Sequence, residues 1–168
     1  MNISMYQASV PRFAGMLRNL SALLDKAQAY CDAKKIEPAA ITGARLYPDM
    51  YPLTRQVQIA CDTAKGAVAR LAAVEIPKHE DTEQTFAELK ARIAKTVDFI
   101  ESVKAGKIDG AEEREIVLKM RAGDRKFTGL HYLLGFAYPN FYFHVTTAYN
   151  ILRHNGVEIG KTDFIGKS

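Results

Sequence analysis

The feature that most constrains this chain is the spacing of apolar residues near its start. Val10, Phe13, Leu17, Leu20 and Leu24 follow one another at alternating steps of three and four, and Met16, Leu23 and Ala27 widen the same stripe. Such steps return to one side of an α-helix, so the segment from about Ser4 to Ala33 is predicted to be one long amphipathic helix. Pro11 falls early enough to be a first-turn proline or the seat of a small kink.

One such helix cannot cover its own stripe. A second is predicted from about Pro52 to Ala73, with Pro52 in its first turn and Leu53, Val57, Ala60, Ala64, Ala67 and Leu71 facing inward. Those small residues suit a close helix neighbour or a dimer seam. A third helix is expected to start at Asp81 or Thr82, where Asp81 and Gln84 fit a capping box, and to bury Phe86, Leu89, Ile93, Val97 and Ile100. The last is expected to begin near Pro139, to bury Phe141, Val145, Ala148, Ile151 and Leu152, and to stop at Asn155-Gly156.

The connections are distinctive. Pro38, Gly43, Pro48 and Pro52 mark residues 34–53 as a structured loop, with room for one short turn, whose aromatic residues pack over one end of the core. In residues 114–128, Ile116, Leu118 and Met120 alternate with Val117, Lys119 and Arg121. Ala122-Gly123-Asp124 signals a turn and Lys126-Phe127-Thr128 a return, so a short β-hairpin is predicted there. Ile159, Phe164 and Ile165 are expected to dock the tail on the body. Four helices with one apolar face each bury those faces against one another. The expected fold class is therefore all-α, a four-helix bundle with a short β-hairpin insertion before the last helix, in one domain over residues 1–168.

Composition narrows the function classes. With 48% hydrophobic and 25% charged residues the chain has the balance of a globular protein. No stretch approaches the roughly 18 apolar residues of a membrane helix, and MNISMYQASVPRF lacks the basic start and apolar run of a secretory signal. The expected location is cytoplasmic, with no membrane partner. Cys31 and Cys61 fall among small or apolar neighbours in predicted helices and read as reduced, buried residues, a reactive thiol being the alternative. The net charge is +4, but the basic residues are interleaved with acids, as Lys90, Arg92 and Lys95 are with Glu88 and Asp98. They read as solvated faces and not as a nucleic-acid surface. No nucleophile elbow, phosphate loop, dinucleotide fingerprint or paired-cysteine motif occurs.

Three stretches carry a resemblance: SMYQASVPRF, RLYPDMYPLTRQVQIACDTAKGA and PNFYFHVTTAYNILRHNGVEIGK. Together they resemble a bacterial family of unknown function within the DinB/YfiT-like superfamily of proposed metalloenzymes. The resemblance implies an up-down-down-up four-helix bundle, often dimeric. It also implies a divalent metal held by three histidines, one on the second helix and two, four residues apart, on the fourth. Characterised members of the superfamily include thiol-dependent S-transferases and a maleylpyruvate isomerase. Matching the end of the last helix places His144 on one histidine position and Asn140 on the other. No histidine lies between Leu53 and Ala73, where Gln56 and Gln58 are the polar candidates.

Amide oxygens are weak ligands for zinc or nickel, so no cofactor is expected; His144 is the residue that would ligate a divalent metal if one bound. Asn140 and His144 share a helix face. The alternative for His144 is a buried histidine held by a hydrogen bond to Asn140 or Gln56. Tyr47, Asp49, Tyr51 and Tyr142 are candidates for a small-molecule pocket with Asp49 as a base. Alternatively the aromatics cover the core and Asp49 caps the second helix. His131 either approaches Asp49 or His144 or stays on the surface. His154 suits the last helical turn, and His79 reads as a loop residue. The expected function is a small-ligand-binding bundle with a degenerate metal site, working as a homodimer. The alternatives are a divergent metal- or thiol-dependent transferase or isomerase, and a non-catalytic dimeric interaction protein.

Overall fold

A computed structural model describes residues 2–120 and 123–166 of the chain. Helix α1, Met5–Lys34, is capped by Ser4, whose hydroxyl accepts from the Gln7 amide while the Gln7 side chain accepts from the Ser4 amide. This reciprocal pairing satisfies two of the free amides at the helix start. Pro11 sits exposed in the second turn, inside the continuous helix. The Leu and Phe stripe is fully buried. Lys35 closes α1 in the left-handed region at φ 55°, which lets the Ile36 amide reach back to the Cys31 carbonyl.

A short helix α2, Pro38–Thr42, interrupts the proline-rich loop before α3, Leu53–Ala72. Helix α4, Phe86–Ser102, starts four or five residues later than the sequence pattern suggests. Asp81 and Gln84 do not cap it. Thr85 does, with Glu88 completing the box. Asp81 is held elsewhere, by Arg55 and Arg92. After a single turn, α5 (Ala105–Ile108), the chain forms the hairpin β1 (Glu115–Leu118) and β2 (Arg125–Thr128), which pair antiparallel with Ile116 opposite Phe127. Ile116, Leu118 and Phe127 turn inward, whereas Met120 lies past the strand and is exposed. Of the anticipated turn, Gly123 takes a positive φ of 108°; Arg121 and Ala122 lie outside the described residues.

The last helical stretch begins ten residues before Pro139. It runs as α6 (Gly129–Tyr132), a π-helical turn (Leu133–Ala137) and α7 (Tyr138–His154). Pro139 cannot donate to a carbonyl one turn back, and the widened turn before it accommodates its ring. The tail docks in part as anticipated: Ile159 is buried and Phe164 packs edge-on to Tyr149, but the Ile165 side chain is exposed; α8 (Lys161–Ile165) lies on α1 through Asn19 and Lys26.

Side-chain pairs fix the directions of the four long helices. Asp25 meets Lys90 and Arg18 meets Glu101, so α1 and α4 are antiparallel. Asp62 meets Arg92, and Gln58 meets Glu83 just before α4, so α3 and α4 run parallel. Gln56 meets His144 and Thr63 meets Asn140, so α7 returns antiparallel to α3. The order is therefore up, down, down, up. The parallel pair requires residues 73–85 to travel back along the bundle as a strap. Among the described residues no helix is long and apolar enough to cross a membrane.

Candidate functional site

His144 projects from α7 toward the first turn of α3. Its Nδ1 lies 2.7 Å from Gln56 Oε1, and Gln56 Nε2 donates to the Tyr51 carbonyl at 3.0 Å. The Tyr51 carbonyl is acceptor-only, which fixes the Gln56 amide with its nitrogen toward Tyr51. Gln56 Oε1 then accepts, so His144 carries its proton on Nδ1 and keeps the lone pair on Nε2. Both side chains are buried. The reading of a buried histidine held by Gln56 is thus the observed one.

Burial, and next the Arg55 guanidinium, hold the His144 imidazole below the usual histidine value of 6.5. His79 is lowered in the same way, by burial and by Lys65, Lys95 and Arg92. A depressed folded-state value means that the stabilising contribution is complete above 6.5. It is lost as pH falls from there through the folded values. Urea unfolding from pH about 7.5 to about 5 is therefore expected to show falling stability, with a slope of up to about 1.4 kcal/mol per pH unit for each histidine. His144→Asn should flatten that slope by its own share, and an unchanged slope would refute the assignment.

One turn earlier, Asn140 Nδ2 donates to Thr63 Oγ1 on α3 at 3.2 Å. Asn140 and Thr63 line a cleft of about 280 Å³ between α3, α7 and the hairpin. Leu118, Met120, Phe136 and Tyr132 supply its apolar side. Arg70 supplies charge, lying over the Tyr132 ring and donating to the Tyr132 hydroxyl at 3.1 Å. The sequence pointed to Asn140 but not to Arg70, Tyr132 or Phe136, which reach the cleft only because the π-helical turn and hairpin fold against α3.

The other candidate residues are dispersed. Tyr142 packs edge-on to Tyr138 and Phe141, and Arg12 of α1 is the cation beside it. It faces α1, not His144. Tyr47 and Asp49 are exposed in the loop before α3. Tyr51 contributes its carbonyl to the Gln56 chain, while its ring stays exposed beside Arg55. The aromatics of this loop therefore do not cover the core. Nor does Asp49 cap α3, whose N-cap is Pro52 with no side-chain bond. His131 is exposed on α6, stacked on Phe127 and packed over Gly135. It lies near the α3 C-terminus, where Tyr132 meets Arg70, roughly 20 Å along α3 from the Gln56 turn.

The residues at the two α7 positions do not fit a catalytic divalent metal. Nδ1 of His144 is committed to an amide, and Asn140 faces a threonine hydroxyl; both neighbours are neutral and poor ligands. Among the described residues no group of three or more His, Cys, Asp or Glu side chains is placed to hold a metal ion. Both cysteines are buried and free, and burial pushes the Cys61 thiol up to about 12, which keeps it protonated and unreactive.

One reading is corrected outright. Arg92 does not lie on a solvated face; its side chain is 1% exposed and is bound by Asp62, Asp81 and Glu83. Its place on α4, directly before Ile93 of the apolar stripe, was the available signal.

Residues 5–165 match a family described as a domain of unknown function (DUF1993). A DinB family member protein from Shewanella denitrificans, known from its crystal structure, is 43% identical. Its superposition covers 97% of this chain and 92% of that one, with a TM-score of 0.90. No curated protein matches.

Proposed function

Since the chain belongs to the DinB-like family DUF1993, whose shared bundle carries no stated activity, we propose that it is a small-ligand-binding protein with a degenerate metal site. The observation that supports this reading is the cleft at Asn140. It joins an apolar wall to a few convergent polar groups, the usual composition of a small-molecule site. Among the described residues no set of metal ligands gathers around His144, and its Nδ1 is taken up by the neutral amide of Gln56. Phe136 and Met120 suit a flat or branched apolar body, and Arg70 suits a negative or acceptor group on it.

A thermal-shift screen tests the reading. A ligand at about 100 times its Kd is expected to stabilise the fold by about 2.7 kcal/mol. Asn140→Leu and Phe136→Ala should abolish that gain, and protein purified without chelator should carry only traces of divalent metal. Stoichiometric metal lost in His144→Ala, or ligands indifferent to both cleft variants, would sink the proposal.

The same reading includes a homodimer. Leu130 and Leu134, one turn apart, are exposed apolar side chains at the start of the α6–α7 rod, at 41% and 51%. Exposed apolar groups of this size mark interaction surfaces when they cluster. Leu134→Asp is expected to convert a dimer to a monomer in sedimentation equilibrium, without loss of helical signal. A chain that sediments as a monomer before mutation would remove the dimer from the proposal.

A further inference from the structure

Arg70 differs from the other charged side chains at the cleft beside Asn140. It is half-buried in the last turn of α3 and makes no ion pair among the described residues. Its guanidinium is nevertheless held in place. One turn earlier Gly66 leaves the helix surface bare, and the guanidinium lies back over it. A Cβ at Gly66 would sit 2.5 Å from Arg70 Nη1, and its three nearest atoms all belong to Arg70. The Tyr132 ring lies 6.0 Å from the guanidinium, and the Tyr132 hydroxyl accepts from Nη1. Arginine has five N–H donors, and this contact uses one. Nε and Nη2 bond to nothing among the described residues, and neither is enclosed.

A fixed guanidinium without a counter-charge favours a planar anion, because a carboxylate can accept two parallel hydrogen bonds from it. Asp62 also lines the cleft, but it is taken up by Lys65 at 3.0 Å and Arg92 at 2.9 Å. It lies eight residues from Arg70, about 12 Å along the helix axis. Exposed Lys119 adds a second positive charge to the lining. The rest of the ligand follows from the walls. Phe136 stacks on Tyr132 at 6.0 Å, and with Met120 it offers a surface for a flat ring. The volume of about 280 Å³ lies just below the roughly 300–1,000 Å³ of drug-sized sites, which suits one ring. Thr63 and Asn140 stand about 10 Å from Arg70 along α3 and offer a hydroxyl and an amide to a polar substituent.

Resting on the reading of this cleft as a ligand site, we propose that its ligand is a single-ring aromatic monocarboxylate. The carboxylate pairs with Nε and Nη2 of Arg70, the ring packs on Phe136 and Met120, and a hydroxyl opposite the acid reaches Asn140 and Thr63. Gly66 is a positioning residue, since a side chain there would displace the guanidinium. A phosphate dianion suits the cleft less well, because one fixed guanidinium beside apolar walls leaves its second charge uncompensated.

The test is isothermal titration calorimetry of the full chain, at fixed ionic strength, with 4-hydroxyphenylacetate, its neutral amide and the cationic amine tyramine. The three share the ring and hydroxyl and differ in charge. The acid is expected to bind about tenfold tighter than the amide, and tyramine more weakly than either. Gly66→Ala keeps the charge of Arg70 but moves it, and should bring the acid down to the affinity of the amide. A Gly→Ala change inside a helix favours the helix, so melting curves should show no loss of stability. Arg70→Gln should remove the same preference by a second route. Acid and amide binding equally, with both abolished in Asn140→Leu, would overturn this proposal and leave the cleft standing as a ligand site. No binding by any of the three would count against both. A preference for the acid that survives Gly66→Ala and Arg70→Gln, or inorganic phosphate binding more tightly than the acid, would also overturn it.

Discussion

Arg92→Ala is expected to lower the unfolding free energy by about 3 kcal/mol, measured by urea denaturation at neutral pH. The substitution removes one buried guanidinium that holds three carboxylates and a backbone carbonyl. Breaking a buried pair from one side usually costs about 3–5 kcal/mol, because the abandoned charge cannot recover its water. The lower end applies here for a reason visible in the exposures. Asp62 and Asp81 are 38% and 41% exposed and can rehydrate, whereas Glu83, at 12%, cannot. Arg92→Met should recover some packing of the stem but leave the same carboxylates unpaired, so it should remain well below the parent. Arg18→Ala, which breaks an ion pair exposed by 56% and 42%, is the control and should cost under about 1 kcal/mol. Equal losses at Arg92 and Arg18 would show that the cluster does not hold the strap to α3 and α4.

Gly129→Ala should destabilise the protein by about 2–3 kcal/mol, the upper part of the range for overpacking. A Cβ at Gly129 would overlap the Ala111 carbonyl oxygen, with the Ala111 carbonyl carbon at 3.1 Å and Leu71 Cδ2 at 3.3 Å. The principal obstacle is backbone and cannot swing aside. The adjacent Leu130 amide donates to the Glu112 carbonyl at 2.9 Å, so relieving the overlap also breaks the contact that ties the chain before β1 to α6. The loss should be accompanied by amide chemical-shift changes over residues 111–118 and 127–132. Gly15→Ala, where nothing lies within 4 Å of the added carbon, should be neutral or stabilising by up to about 1 kcal/mol. If Gly129→Ala behaves like Gly15→Ala, the close approach is not a structural requirement.

These two positions also mark where reading the chain residue by residue stops. The stripe of α1, its start near Ser4, a hairpin within residues 114–128 and the order of four helices are local properties. They follow from spacing along the backbone and are legible because a helix face repeats every three or four residues. The Gln56–His144 contact was within reach as well, since each residue lies on the inward side of a predicted helix and a buried histidine needs a partner. Arg92 was misread because a charge near other charges has the same appearance along the sequence whether it is solvated or enclosed.

What periodicity by itself determined, then, is which faces are apolar, and hence a bundle. It could not determine which helices are parallel. That choice rests on the strap of residues 73–85, which returns the chain to the N-terminal end of α3 before α4 begins. Once α3 and α4 run side by side, Asp62, Asp81 and Glu83 converge on Arg92, and His79 is enclosed beside it. Likewise the cleft at Asn140 exists only because the hairpin and the π-helical turn close over α3. That cleft joins residues distant in sequence, and the physical cause is that burial and charge pairing act across space, so only the tertiary structure decided which side chains would share it.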